Sequence, residues 1–137
     1  MLRPFHLAIP VKDLASSRNF YAYTLGLKEG RSSENWIDFD FYGHQLVIHE
    51  TGSNTLSNHN PVEDHQVPIP HFGIVLAWKD FFDLSEKLKN KNINFEIKPH
   101  IRFKGKPGEQ ATMFFYDPSG NAIEFKAFKN DNQLFTT

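Results

Sequence analysis

A chain of 137 residues has the length of one domain, and its 15 Lys and Arg against 16 Asp and Glu leave almost no net charge; without a basic block interleaved with aromatics, nothing points to nucleic acid or an anionic membrane. The absence of cysteine excludes disulfides and thiolate metal sites, and no run approaches the roughly 20 apolar residues of a membrane-spanning helix. The opening MLRPFHLAIPVKD has a short apolar run followed by charge, unlike a signal peptide, so the expected setting is cytoplasmic. Fourteen phenylalanines and seven histidines suit an apolar pocket with a polar floor for a small-molecule substrate.

In chain order, FHLAIPV (5–11) reads as a strand. A helix follows from about Asp13 to Leu25: Leu14, Phe20, Tyr21 and Leu25 form an apolar stripe, Asp13 is the N-cap and Gly26 the stop. NWIDFDFY and HQLVIHE read as strands joined by the turn in FYGHQ. Residues 51 to 70, TGSNTLSNHNPVEDHQVPIP, read as a polar linker. The pattern then begins again. HFGIVLA (71–77) is a strand opening on His71 as the first opens near His6; a helix runs from about Asp80, its cap, to Lys91, with Phe81, Leu84 and Leu88 on one face; FEIKPHIRF, ATMFFYD and NAIEFKAF are strands, the last preceded by the turn in DPSGNA.

Each half therefore reads strand, helix, then two or three strands. This internal repeat predicts an α+β domain, not a doubly wound sheet, with module 1 at about 1–55 and module 2 at about 66–130. A helix on one side of each small mixed sheet leaves the other faces free to form a shared concavity.

Strand alternation sorts the side chains. His6 and Ala8 oppose Phe5, Leu7 and Ile9; His71, Gly73 and Val75 oppose Phe72, Ile74 and Leu76; Ala122, Glu124 and Lys126 oppose Ile123, Phe125 and Ala127. In HQLVIHE, His49 falls on the concave face, at the place in module 1 expected to match Glu124. A carboxylate inside an apolar strand must be paired, exposed or bound to a cation, because an ionised group buried alone costs several kcal/mol or more. Two imidazoles and one carboxylate on one surface suit non-haem Fe(II) or a similar divalent ion, which makes His6, His71 and Glu124 the candidate metal ligands. An ion pair between Lys126 and Glu124 is the rival reading. His49 reads equally as ligand, acid/base group or structural residue, and His44, His59, His65 and His100 read as structural. His49 and Tyr116 are candidates for proton transfer, and Arg102 and Lys104, in the glycine-containing RFKGKPGEQ, for attracting an anionic substrate under a mobile lid; a solvated loop is the plainer reading.

FHLAIPVKDLASSRNFYAYTLGL, PHFGIVL and MFFYDPSGNAIEFKAF together resemble the vicinal oxygen chelate superfamily of glyoxalase I, extradiol dioxygenases and fosfomycin- and bleomycin-resistance proteins, the form DPxGNxxE being the most specific. The resemblance implies two βαβββ modules curled into a cup with helices on its convex face, and assigns His6, His71 and Glu124 to ligand positions for a divalent metal: Fe(II) first, with Mn, Ni or Zn as alternatives. Glyoxalase I members place a carboxylate or carboxamide at the end of the first module, where this chain has His49, with Glu50 one residue out of phase. That departure favours a dioxygenase-like reaction on a substrate chelated through neighbouring oxygens over a glyoxalase I-type isomerase or lyase; a ligand-sequestering protein is the further alternative. A homodimer is expected, since two modules leave sheet edges to cover.

Overall fold

The computed structural model describes residues 2–137. They group into two compact units, one formed by the chain up to Ser57 with Asp117–Asn121, the other by Asn58–Tyr116 with Ala122–Thr137.

The first unit contains β1 (His6–Val11), α1 (Leu14–Arg18), β2 (Lys28–Ser32), β3 (Trp36–Phe41) and β4 (His44–Glu50). Its sheet runs β1-β4-β3-β2, with β1 parallel to β4 and the other pairs antiparallel. Asp13 caps α1 as its sequence position predicts, its carboxylate accepting the Ser16 N–H at 3.0 Å. Glu50 adds a second acceptor for the same helix start, taking the Leu14 N–H at 2.9 Å. Beyond Arg18 the helix widens into a π-type segment, Asn19–Thr24, and Gly26 ends it at φ +72°. Tyr21, Val11, Ile37, Phe39, Leu46 and Ile48 are fully buried where α1 packs on β3 and β4. The sequence reading missed β2. Its KEGRS is polar and mostly exposed, as suits a sheet edge, and it is tied to α1 by the double contact of Arg18 with Glu29 at 3.0 and 3.1 Å.

The second unit contains β5 (Asn58–Val62), β6 (His65–Ile69), β7 (His71–Phe72), β8 (Val75–Leu76), α2 (Trp78–Asn90), β9 (Phe95–Arg102), β10 (Gln110–Tyr116) and β11 (Ala122–Phe128). The order β7-β11-β10-β9, with β8 also on β11, repeats that of the first unit, including the parallel pair. Both units thus contain a βαβββ order, which the second extends with the β5–β6 hairpin, and the domain is α+β.

Three details depart from the sequence reading. α2 begins at Trp78 on Ala77, so Asp80 sits inside its first turn, where a carboxylate complements the helix dipole, and is not the cap. Much of the segment read as a linker is the hairpin β5–β6. The HFGIVLA strand breaks at Gly73, where a Cβ would stand 1.4 Å from the Glu124 carbonyl oxygen; only a residue without a side chain lets the two backbones approach so closely.

The second sheet is covered on both faces. Phe81, Leu84 and Leu88 of α2 are buried on the side of Met113, Phe115, Ile123 and Phe125, while Val62 and Val67 of the hairpin pack on Ile97 and Phe114 on the other. Consequently every β10 residue from Gln110 to Phe115 is buried. Phe20, Phe39, Phe41, Phe81, Phe114, Phe115, Phe125 and Phe128 are buried in the cores, whereas Phe5, Phe82, Phe103 and Phe135 are exposed.

The DPSGN turn is structural. Asp117 accepts the N–H groups of Ser119 and Asn121 at 2.9 Å, the Tyr21 hydroxyl at 2.7 Å and the Asn121 amide at 2.8 Å. Asn121 also donates to the Pro10 carbonyl, Ser119 accepts the Lys12 N–H, and Gly120 takes φ +91° against Thr55. Together these bonds join the turn to β1, to the helical segment carrying Tyr21 and to the chain after β4.

Candidate metal and substrate site

The parallel pairs fix which positions of the two units correspond. His6 lies opposite Gln45 and Ala8 opposite Val47, while His71 lies opposite Ala122, the same register placing Gly73 opposite Glu124. If His6 matches His71, the counterpart of Glu124 is therefore Val47, and that of Lys126 is His49. The expectation that His49 matches Glu124 is thus corrected by two residues. His49 lies four residues along β4 from the partner of His6, roughly 13 Å at the rise of a strand, too far for both imidazoles to reach one ion within this unit.

His71 and Glu124 do meet: His71 Nε2 lies 3.2 Å from Glu124 Oε1. The other ring nitrogen, Nδ1, is 2.8 Å from the Pro68 carbonyl, which can only accept, so Nδ1 carries a proton. In the neutral ring Nε2 then offers a lone pair towards a carboxylate oxygen. That contact is repulsive unless a proton or a metal cation lies between them, and the backbone-oriented histidine is the arrangement that metal ligands use. The Phe114 ring packs edge-on against His71 with centroids 5.0 Å apart. The second Glu124 oxygen accepts from the Thr112 hydroxyl and lies 3.7 Å from Lys126 Nζ. Burial raises the Glu124 pKa, but the bonds to His71 and Thr112 and the Lys126 charge outweigh it, and the carboxyl is held below its ordinary value. His71 is raised chiefly by its bond to Glu124. Lys126 thus stands near one Glu124 oxygen while the other faces His71, so the ion-pair contact does not occupy the oxygen directed at the imidazole.

His6 is exposed on β1 in the first unit. Its Nδ1 is 2.7 Å from Gln45 Oε1, and the Gln45 amide donates in turn to Asp38 at 3.2 Å. Because Asp38 only accepts, the amide orientation is set, His6 Nδ1 must donate, and Nε2 is again left with its lone pair. Among the described residues no group of three or more His, Asp or Glu side chains gathers as a metal site.

A cavity of about 180 Å³ opens beside His71 and Glu124 within the second unit. Its apolar wall is Val62, Val67, Ile97 and Phe114; its polar lining includes Thr112, Lys126, His65, His100, Arg102 and Glu63. Of the fourteen phenylalanines only Phe114 lines it, so the Phe-rich pocket expected from composition is not what this cavity presents. Arg102 borders the cavity, whereas Lys104 is exposed and, like Tyr116, is not part of its lining. His65 and His100, read from the sequence as structural, both line it and pack against each other, with ring centroids 4.9 Å apart. Their placement depends on the β5–β6 hairpin reaching β9, which no local sequence signal announces. Glu63, at the hairpin turn with φ +54°, bonds Arg102 at 2.9 Å.

The model of the glyoxalase/bleomycin resistance protein/dioxygenase superfamily matches residues 3–125. The chain belongs to that superfamily, whose fold is the vicinal oxygen chelate fold. Among solved structures, a glyoxalase/bleomycin resistance protein/dioxygenase from Alicyclobacillus acidocaldarius is 35% identical, with 97% of this chain and 96% of that one covered and a TM-score of 0.78. A fosfomycin resistance protein, FosX, from Listeria monocytogenes is 20% identical over 98% of this chain and 100% of that one, with a TM-score of 0.71. A lactoylglutathione lyase from Agrobacterium tumefaciens is 17% identical over 98% and 97%, with a TM-score of 0.68. At those two identities the likeness is one of fold. No curated protein matches the chain in sequence. Among the described residues no helix is long and apolar enough to cross a membrane.

Proposed function

We propose that the protein is a metal-dependent enzyme of dioxygenase type, acting on a small substrate that chelates the metal through neighbouring oxygens. The observation that carries this reading is the His71–Glu124 contact, in which a lone-pair nitrogen with its other face committed to a backbone carbonyl points at a carboxylate. His71 and Glu124 would hold the metal, with His6 as the candidate for the third ligand; its Nδ1 is committed in the same way. Iron(II) suits two imidazoles and one carboxylate, with manganese, nickel and zinc as the other fits, and would supply Lewis acidity and one-electron chemistry.

Val47 favours the dioxygenase reading over the lyase. The first unit offers valine where the second has Glu124, so this correspondence supplies one carboxylate and leaves coordination positions open. In this reading the protein's own groups hold and orient. Thr112 and Lys126 fix Glu124, Phe114 fixes the His71 ring, the hairpin excludes water from one wall, and His49 or Tyr116 is the candidate for moving protons.

The test is metal analysis of protein purified without added ions, followed by anaerobic iron loading and oxygen-uptake assays with compounds bearing vicinal oxygens. Stoichiometric divalent metal and substrate-dependent oxygen consumption support the reading. Metal-dependent turnover without oxygen uptake would replace it with an isomerase or lyase, and tight binding of an organic ligand without metal would replace it with a sequestering protein.

A further inference from the structure

Strand register sets out the floor of the cavity in rows. Ile97, Phe114 and Glu124 form one row across β9, β10 and β11; His100, Thr112 and Lys126 form the next. Arg102 lies two residues further along β9, opposite Gln110. Successive rows are separated by two strand residues, roughly 7 Å. Lys126 reaches back to Glu124, whereas His100 and Arg102 stand progressively further along β9 from the His71–Glu124 pair.

Arg102 is incompletely used. One terminal nitrogen is bonded to Glu63, and the guanidinium lies 4.9 Å from the centre of the Phe103 ring, so the group is held in place. Its Nε is buried and donates to nothing among the described residues. A buried N–H without an acceptor is costly, so the guanidinium keeps donor capacity beyond its bond to Glu63 while the residue borders the cavity. His100 is oriented too: its Nδ1 bonds the Lys98 carbonyl, leaving Nε2 for another partner. Glu63 supplies the only carboxylate besides Glu124 in the cavity lining, and it is already engaged by Arg102.

We infer that the cavity has a second binding point, built on Arg102 with His100 and Lys126, for a carboxylate or similar oxyanion carried by the substrate at a distance from its chelating oxygens. Only the chelating end of this inference rests on the metal reading; the oxyanion point stands on the second unit's own geometry. Arginine suits it because the guanidinium presents several N–H donors in one plane, so Glu63 and an oxyanion are served together.

Two probes separate the ends. Inorganic phosphate, titrated calorimetrically into metal-free protein, reads the oxyanion point alone. Acetohydroxamate and its carboxylate-bearing analogue succinomonohydroxamate, titrated into manganese-loaded protein, read whether the carboxylate adds to chelation. Wild type is expected to bind phosphate and to prefer succinomonohydroxamate by about tenfold or more. Arg102→Gln should lose both effects while acetohydroxamate binding stays. Glu63→Gln breaks the same ion pair but leaves the arginine in place, so phosphate affinity should be kept or increased. If Arg102 merely anchors the hairpin, the two variants will lose stability alike and leave phosphate affinity where it was, which overturns the inference. Phosphate binding that survives while acetohydroxamate fails to bind would sink the metal reading and leave the oxyanion point standing.

Discussion

His71 Nε2 stands 3.2 Å from Glu124 Oε1 while His71 Nδ1 is bonded to the Pro68 carbonyl, so one proton or one metal ion must make the short contact attractive. The two occupants have opposite pH behaviour. For the proton, the folded His71 pKa is raised above 6.5, so its contribution to stability is full below 6.5 and lost as pH rises through the higher folded value. The folded Glu124 pKa is lowered below 4.5, so its contribution is present above 4.5 and lost as pH falls through the lower folded value. Metal-free protein should draw most stability from the pair between these limits, measured as thermal midpoint against pH. Metal competes with the proton for Nε2, so metal affinity should rise with pH across the window in which apo stability falls. A metal affinity flat from pH 5.5 to 8 would contradict this assignment.

Glu124→Gln keeps the size of the side chain and removes its charge. Divalent-metal affinity should fall by at least ~10²-fold in calorimetric titration, since changes to groups that merely orient ligands already cost 10–100-fold. The fall in apo stability above pH 6.5 should disappear as well, because His71 no longer gains a proton from an adjacent anion. Wild-type metal affinity in this variant would remove Glu124 from the ligand set.

Gly73→Ala places a methyl group 1.4 Å from the Glu124 carbonyl oxygen, a backbone atom that can move only with β11. The expected cost is about 3 kcal/mol in denaturant unfolding, accompanied by weaker metal binding. Gly105→Ala serves as control: its φ of +75° is strained for alanine, but the added Cβ meets nothing within 4 Å, so metal binding should be unaffected.

His49→Ala should leave folding within about 0.5 kcal/mol of wild type, because the side chain is exposed. Its position matches Lys126 rather than Glu124, so metal affinity should stay. Turnover should fall by about 10²-fold or more if His49 moves protons. Unchanged turnover would return it to an ordinary surface histidine.

Tyr21→Phe removes one of four hydrogen bonds to the buried Asp117 and should cost about 1–3 kcal/mol without touching metal binding. The Tyr21 hydroxyl pKa is pushed well up by burial and by the Asp117 charge, so it is a donor at neutral pH.

The sequence by itself determined the repeat and the α+β class, and it singled out His6, His71 and Glu124 as candidates, because alternation and helical periodicity are local properties of a chain. It also marked Asp13 as a cap and Gly26 as a stop, since a cap bonds within its own first turn. What it missed depends on distant contacts. β2 has no apolar alternation because its outer edge needs none, and β5–β6 is a hairpin because Val62 and Val67 find Ile97 and Phe114, more than 25 residues along the chain. Strand register, set by pairing and not by residue type, decided that Val47 rather than His49 corresponds to Glu124. The cavity, the paired rings of His65 and His100 and the unspent Nε of Arg102 likewise exist only once β6, β9 and β11 are packed together. Only the tertiary structure decided them, because they bring together side chains whose positions in sequence carry no record of one another.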